Sequence, residues 1–236
     1  MAYVDILKND VDTVFGTKFE SRDGQKIPNT DDVKLSGGAV RVDAAFLYAD
    51  LAGSSKLAQM CPWTTTAKII RAYLACATRL IRAYDGEIRS FDGDRVMGVF
   101  MGKTPCTDAV MCAREIDWCN HNIIRPKATS HFKSIADNDI TIKHCVGVDY
   151  GEARAVRAGI RNNNDLIWIG TAPSLAAKLS DIREHPYEVY VSSKVYNRML
   201  SSQKTDSSGG NIWEKRTFTY AGADKSVYRT KTPLRP

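Results

Sequence analysis

The stretch that most limits how this chain can fold is residues 45–55, AFLYADLAGSS. An apolar run (Ala44, Ala45, Phe46, Leu47, Tyr48) ends in one carboxylate, Asp50, and small residues follow at once: Ala52, Gly53, Ser54 and Ser55. A buried strand that delivers an acid to a sheet edge and then turns into a helix N-terminus has this pattern. Small residues let a ligand approach the backbone, and the free N–H groups of a first helical turn suit phosphate. Taken alone, such an Asp is more often a helix cap.

Residues 86–100, GEIRSFDGDRVMGVF, give that acid a partner. Two β-like runs, 87–91 and 95–100, flank Asp92-Gly93-Asp94, which reads as a hairpin turn. Asp50 and Asp94 then stand at the ends of different strands, with a long helical pattern between them. Two hard oxygen ligands beside a phosphate-sized backbone pocket are what Mg²⁺ or Mn²⁺ needs to hold a nucleoside triphosphate.

A third block agrees. Residues 169–179, IGTAPSLAAKL, look like an Ile-Gly-x-x-Val-Asn-x-Ala-x-Arg helix. With Asp50 in Phe-x-x-x-Asp-x-x-Gly-Ser and Gly93-Asp94 in its hairpin, the chain resembles the class III nucleotidyl cyclases, the adenylyl/guanylyl cyclase catalytic domain. The resemblance covers about residues 42–230. It implies an α/β (α+β) fold of ferredoxin-like type, with a central, mostly antiparallel sheet and flanking helices, assembled as a homodimer. Residues 1–41 would be an N-terminal helix and loop extension, and 42–236 the catalytic domain.

The 236 residues are 43% apolar, enough for one domain with a substantial core. A net charge of +6 suits a polyanionic substrate, but the basic residues are scattered without a run, which argues against nucleic acid. Cys61, Cys76, Cys106, Cys112, Cys119 and Cys145 form no C-x-x-C pair, and the seven-residue spacing of Cys112 and Cys119 places both on one helix face. With no signal peptide and no apolar run of the ~18–20 residues that spans a bilayer, the chain reads as soluble, cytoplasmic and thiol-reduced. No sensor domain is evident, so a signal would arrive through a partner or ligand.

In chain order, Val4, Ile6, Leu7, Val11, Val14 and Phe15 form a helical stripe, expected to pack on the catalytic domain or on a partner subunit, and 21–38 reads as loop or loose hairpin. Residues 62–85 are the clearest helix, opened by Pro62 and ended by Gly86. A second amphipathic helix covers 107–122, and 123–139 reads as a polar loop. Residues 141–150 and 152–156 suggest a hairpin through Tyr150-Gly151, followed by a polar turn at 159–164, a strand at 166–169 and a helix at 171–179. Strands at 187–191 and 213–220, a helix at 193–200 and a flexible segment at 201–210 complete an α/β sheet sandwiched by helices.

The resemblance also implies a chemistry: the ribose 3′-hydroxyl attacks the α-phosphate and pyrophosphate leaves. Asp50, Asp94 and the Leu51 carbonyl would hold two divalent metal ions (Mg²⁺ or Mn²⁺), and the backbone of Ala52, Gly53, Ser54 and Ser55 would cradle the β- and γ-phosphates. Arg161 matches a triphosphate-binding arginine. Lys178 stands where the family has an arginine on the α-phosphate, and lacks its bidentate fork. Ser174 replaces a ribose-orienting Asn, and Tyr220-Ala221-Gly222 replaces a Val-Lys-Gly, so a second triphosphate lysine is missing. In such homodimers Asp50 and Asp94 of one chain would face Ser174 and Lys178 of the partner subunit.

The base pocket departs furthest. Where adenylyl cyclases carry Lys and guanylyl cyclases Glu, this chain has Ser90. The second selector falls on Ile167, with Leu166 and Asp165 the alternatives if the loop is one residue longer, and Arg89, Arg95 and Trp168 stand nearby in the sequence blocks. A site built for polar edges rejects a base that leaves its groups unpaired, so a changed pair argues for a changed base. The combination is similar to the pyrimidine cyclases of bacterial antiphage signalling (Pycsar systems), which make cyclic UMP or cyclic CMP. Two donor-only arginines lean toward UTP, whose uracil O4 and O2 accept hydrogen bonds. CTP, a purine substrate in a rearranged pocket, and a non-catalytic nucleotide-binding domain are the alternatives.

Overall fold

Fifteen residues of near-continuous burial, from Gly38 to Ala52, make the strand around which the sheet is built. The computed structural model describes residues 2–236. In chain order it holds α1 (Tyr3–Gly16), β1 (Glu20–Asp23), β2 (Gly38–Ala52), α2 (Ser54–Met60), α3 (Trp63–Ala83), β3 (Glu87–Asp92) and β4 (Arg95–Phe100). Then come α4 (Pro105–Cys119), α5 (Arg125–His131), α6 (Lys133–Asp137), β5 (Lys143–Ile160), β6 (Asn163–Ile169) and α7 (Thr171–Ser180). The chain ends with β7 (Val189–Ser192), α8 (Ser193–Arg198), β8 (Glu214–Tyr220) and β9 (Ala223–Thr230).

By their contacts these elements form two units: the chain up to Val42 with Ala153–Ile169, and Asp43–Glu152 with Gly170–Pro236. The larger unit carries the strand order β3-β4-β2-β5-β7-β9-β8, antiparallel at every mapped pair except β5 with β7. Period-two alternation sorts its side chains to two faces. Val146, Val148, Val189 and Val191 join Ile69, Tyr73, Ala77 and Ile81 of α3 and Ala109, Ala113 and Ile116 of α4 in one core. Cys145 and Tyr190, one residue off in register, meet Leu175 and Leu179 of α7 in the other. The sheet is thus covered by helices on both faces, as the alternating pattern predicts. All six cysteines are free, and Cys112 and Cys119 are buried.

Within the smaller unit, β1 pairs parallel to the first residues of β2, and β6 pairs antiparallel to residues 154–160 of β5. Helix α1 forms where its stripe predicts, and none of its residues is buried.

Four local readings are corrected. β5 runs unbroken past Tyr150-Gly151, since Gly151 is nearly extended and the chain reverses at Arg161-Asn162, where Asn162 takes φ 69°. Residues 123–139 are mostly helical rather than loop: a π-helical turn at Asn120–Ile124 leads into α5 and α6, which bury Ile124, Ala128 and Ile135. Three well-placed apolar residues were too few to register as a period, but tertiary packing holds them. The segment 21–38 begins as the exposed edge strand β1. Finally, the unanticipated β9 follows β8 through Ala221-Gly222, whose φ of 49° and 77° make a tight hairpin turn.

Gly147 in β5 sets how closely α7 approaches the sheet. A Cβ there would lie 2.2 Å from the Ala176 carbonyl oxygen and 2.5 Å from the Ser180 nitrogen, both backbone atoms. Gly147→Ala is therefore expected to destabilise the fold by about 2–3 kcal/mol, read as a lowered Tm in thermal denaturation.

Candidate active site

β2 carries Asp50 to its end, where the residue is 5% exposed. Gly53 then turns the chain with φ 78° into α2. The β3–β4 hairpin supplies the second acid: Asp92 pairs with Arg95 across a two-residue turn in which Gly93 has φ 61°. Asp50 stands opposite Arg95 in the β2–β4 register, and the Leu51 N–H donates to the Asp94 carbonyl at 3.4 Å. The two carboxylates that the sequence separates are therefore brought to one edge. They also sense one another: burial raises the Asp50 pKa, Arg95 and Arg183 oppose that, and the Asp94 charge adds to it.

Both Asp50 oxygens are held by guanidinium groups. Arg95 Nε donates to Oδ1 at 3.2 Å, and Arg183 Nη2 donates to Oδ2 in a short contact. Arg95 reaches on to Asp181 at 2.6 Å, whose other oxygen is 3.8 Å from Lys178 Nζ. A cluster of carboxylate and carbonyl oxygens that already attracts two cations suits a hard divalent ion.

Of the other predicted residues, Ser174 and Lys178 share the exposed face of α7 at i, i+4 spacing. Ser90 is half-buried opposite Met97. Arg89 is the extra residue where the β3–β4 register shifts, and it donates to the Ile88 carbonyl at 2.8 Å. Arg95, expected beside the base, instead spends its guanidinium on Asp50 and Asp181. Arg161, Ile167 and Trp168 lie in the smaller unit, on the β5–β6 turn and on β6. Tyr220-Ala221-Gly222 is a hairpin apex, consistent with the absence of a phosphate lysine there. Sequence reasoning missed Arg183 and Asp181; the polar run just beyond α7 was the available signal.

The fold is shared with solved class III nucleotidyl cyclase domains. Residues covering 83% of this chain superpose on 95% of the guanylyl cyclase Cya2 with a TM-score of 0.65 at 16% identity. The adenylyl cyclase CyaB from P. aeruginosa gives 0.60 at 17% identity, covering 81% of this chain and 95% of that one. No protein-family profile matches the sequence. Over its whole length, however, the chain is 41% identical to a uridylate cyclase of Rhodovulum sp. (strain MB263), covering 99% of that protein. It is 35% identical to a uridylate cyclase of Burkholderia cepacia, with 90% of this chain and 91% of that one aligned. The chain belongs to the uridylate cyclase family.

A second set of donors lies buried in the same unit. Asp117, His144 and Glu188 bring ligand atoms within 4.8 Å of one another. His144 Nε2 is 3.0 Å from Asp117 and 3.2 Å from Glu188, while its Nδ1 is 3.1 Å from the Tyr73 hydroxyl. Arg125 holds both Glu188 oxygens, at 2.5 and 2.7 Å, and His121 lies 2.9 Å from Asp117. Cationic side chains already satisfy these carboxylates, so the group is an internal ion network. Burial disfavours charge on His144, but its hydrogen bonds to Asp117 and Glu188 win and raise its pKa; the bond to Asp117 likewise raises His121. Burial opposes ionisation of both carboxylates too, yet the histidine contacts leave them lowered.

The signs fix a pH window. The lowered carboxylates contribute stability above their unfolded pKa near ~4, lost as pH falls through the folded values; the raised histidines contribute below ~6.5, lost as pH rises through theirs. Thermal melts from acid to alkaline pH should therefore peak between about 4.5 and 6.5. His144→Gln should flatten the alkaline fall, and an unchanged slope would remove His144 from the linkage.

Proposed function

We propose that this chain cyclises UTP to 3′,5′-cyclic UMP, releasing pyrophosphate. The observation that carries the reading is the meeting of buried Asp50 with Asp94 at one sheet edge, in a member of the uridylate cyclase family. Asp50, Asp94 and the Leu51 carbonyl are the residues that would hold two Mg²⁺ or Mn²⁺ ions. Such ions, when bound, lower the pKa of the 3′-hydroxyl and neutralise charge on the leaving phosphates.

The protein's own part is positioning and charge. The turn through Ala52, Gly53, Ser54 and Ser55 brings small residues and backbone N–H groups beside the acids, suited to the β- and γ-phosphates. In a homodimer, Asp50 and Asp94 of one protomer would face the exposed Ser174 and Lys178 of the partner subunit, with Lys178 neutralising charge at the α-phosphate and Ser174 orienting the ribose. Small Ser90 with Arg89 beside it would shape the base pocket for uracil. The cyclic nucleotide would serve as a messenger in defence against phage.

The direct test incubates the purified chain with Mn²⁺ and each of the four nucleoside triphosphates and identifies products by mass. Cyclic UMP from UTP is the expected product; cyclic CMP, cyclic AMP or cyclic GMP in its place would reassign the base, and no cyclic product would overturn the reading. Asp50→Ala and Asp94→Ala should each lower kcat by at least roughly a hundredfold, since each removes a metal ligand from the reacting centre. Mixing Asp50→Ala protein with Lys178→Ala protein should restore part of the activity if the sites are composite, and no recovery would count against them.

A further inference from the structure

Arg183 is a residue of this edge to which the proposed reaction gives no role. It lies three residues beyond the end of α7, and its side chain is 42% exposed. Its Nη2 donates to Asp50 Oδ2, while Nη1 donates to the carbonyls of Ser180 at 2.6 Å and Ile182 at 3.0 Å. The backbone bonds anchor the guanidinium near the acid, and the exposure leaves room for it to turn. Arg95, on the other oxygen, is more enclosed at 25% and is tied on its far side to Asp181.

A guanidinium on a carboxylate oxygen competes with a divalent ion for it, because both are cations and the hydrogen bond occupies one of that oxygen's lone pairs. A divalent ion at Asp50 Oδ2 therefore displaces Arg183, the more exposed of its two guanidinium partners, and like-charge repulsion keeps it away afterwards. Its stem still holds it at the same edge, where the negative charge of a bound triphosphate then gathers. A guanidinium suits that partner, because its fork matches phosphate oxygens in pairs.

We propose that Arg183 is a triphosphate-binding residue that exchanges partners: it neutralises Asp50 while the site lacks nucleotide, and turns to the phosphates once Asp50 is a metal ligand. In that role it compensates for the lysine absent at Tyr220-Ala221-Gly222. The inference rests on Asp50 being a metal ligand, as proposed above.

The test uses the full-length protein and two binding measurements besides activity. Mn²⁺ binding without nucleotide is followed by the electron paramagnetic resonance of free Mn²⁺. Binding of a non-cyclisable UTP analogue is followed by calorimetry with Mn²⁺ present. Arg183→Ala should bind Mn²⁺ roughly fivefold tighter than wild type, the size expected on removing a competing, partly exposed ion pair. The same variant should bind the analogue at least about tenfold more weakly, as expected for a lost charge-assisted phosphate contact, and Arg183→Lys should recover part of that loss. Unchanged or weaker Mn²⁺ binding would overturn the exchange, and unchanged analogue binding would overturn the phosphate role. Asp50→Ala, measured alongside, separates the two levels: if it binds Mn²⁺ as wild type does, the metal-ligand reading fails, whatever Arg183 does. A Tm for each variant shows that the fold is kept.

Discussion

An ionised carboxylate at the closed end of a central strand needs a counter-charge, and much of the larger unit is arranged around that need. Asp50 is nearly buried because β2 lies between β4 and β5 and its last residues pass under helices. Left alone there it would sooner take up a proton than stay charged. The sheet supplies one cation through register, Arg95 opposite Asp50, and the segment after α7 supplies the other, Arg183. The position is thus one that holds positive charge whatever its source. Under the proposed reaction a divalent ion would be the other occupant of this position.

The Asp117–His144–Glu188 network answers the same electrostatic need differently. Its cations come from several elements, β5 with His144, the π-helical turn with His121 and α5 with Arg125, and they clamp one acid on α4 and one just ahead of β7. His144 and both carboxylates are fully enclosed, so this central counterion cannot leave without opening the core. At Asp50, by contrast, one counterion sits on an exposed, flexible side chain. Two buried acid clusters therefore divide into a fixed one that ties elements together and an exchangeable one that can do chemistry.

Much of this was legible along the chain wherever a short-range period or a turn signal existed. β2, the Asp92-to-Arg95 hairpin, α3 and α4 follow from apolar runs, a 3.6-residue stripe and glycine at a turn. α5 and α6 escaped because they bury too few residues to leave a stripe, and β9 because its first half is polar and exposed. Tyr150-Gly151 misled for the opposite reason: a glycine that looks like a turn sits in a nearly extended strand, and the true reversal uses an asparagine.

What the sequence determined by itself was the placing of single acids at strand ends, Asp50 after its apolar run and Asp94 within its turn, together with the family these blocks resemble. Local patterns encode such features because each depends on neighbours a few residues away. Only the tertiary structure decided which charges meet. Arg183 on Asp50, Asp181 on Arg95 and Glu188 on Arg125 are pairs made by strand register and helix packing between distant segments, and no period along the chain records them.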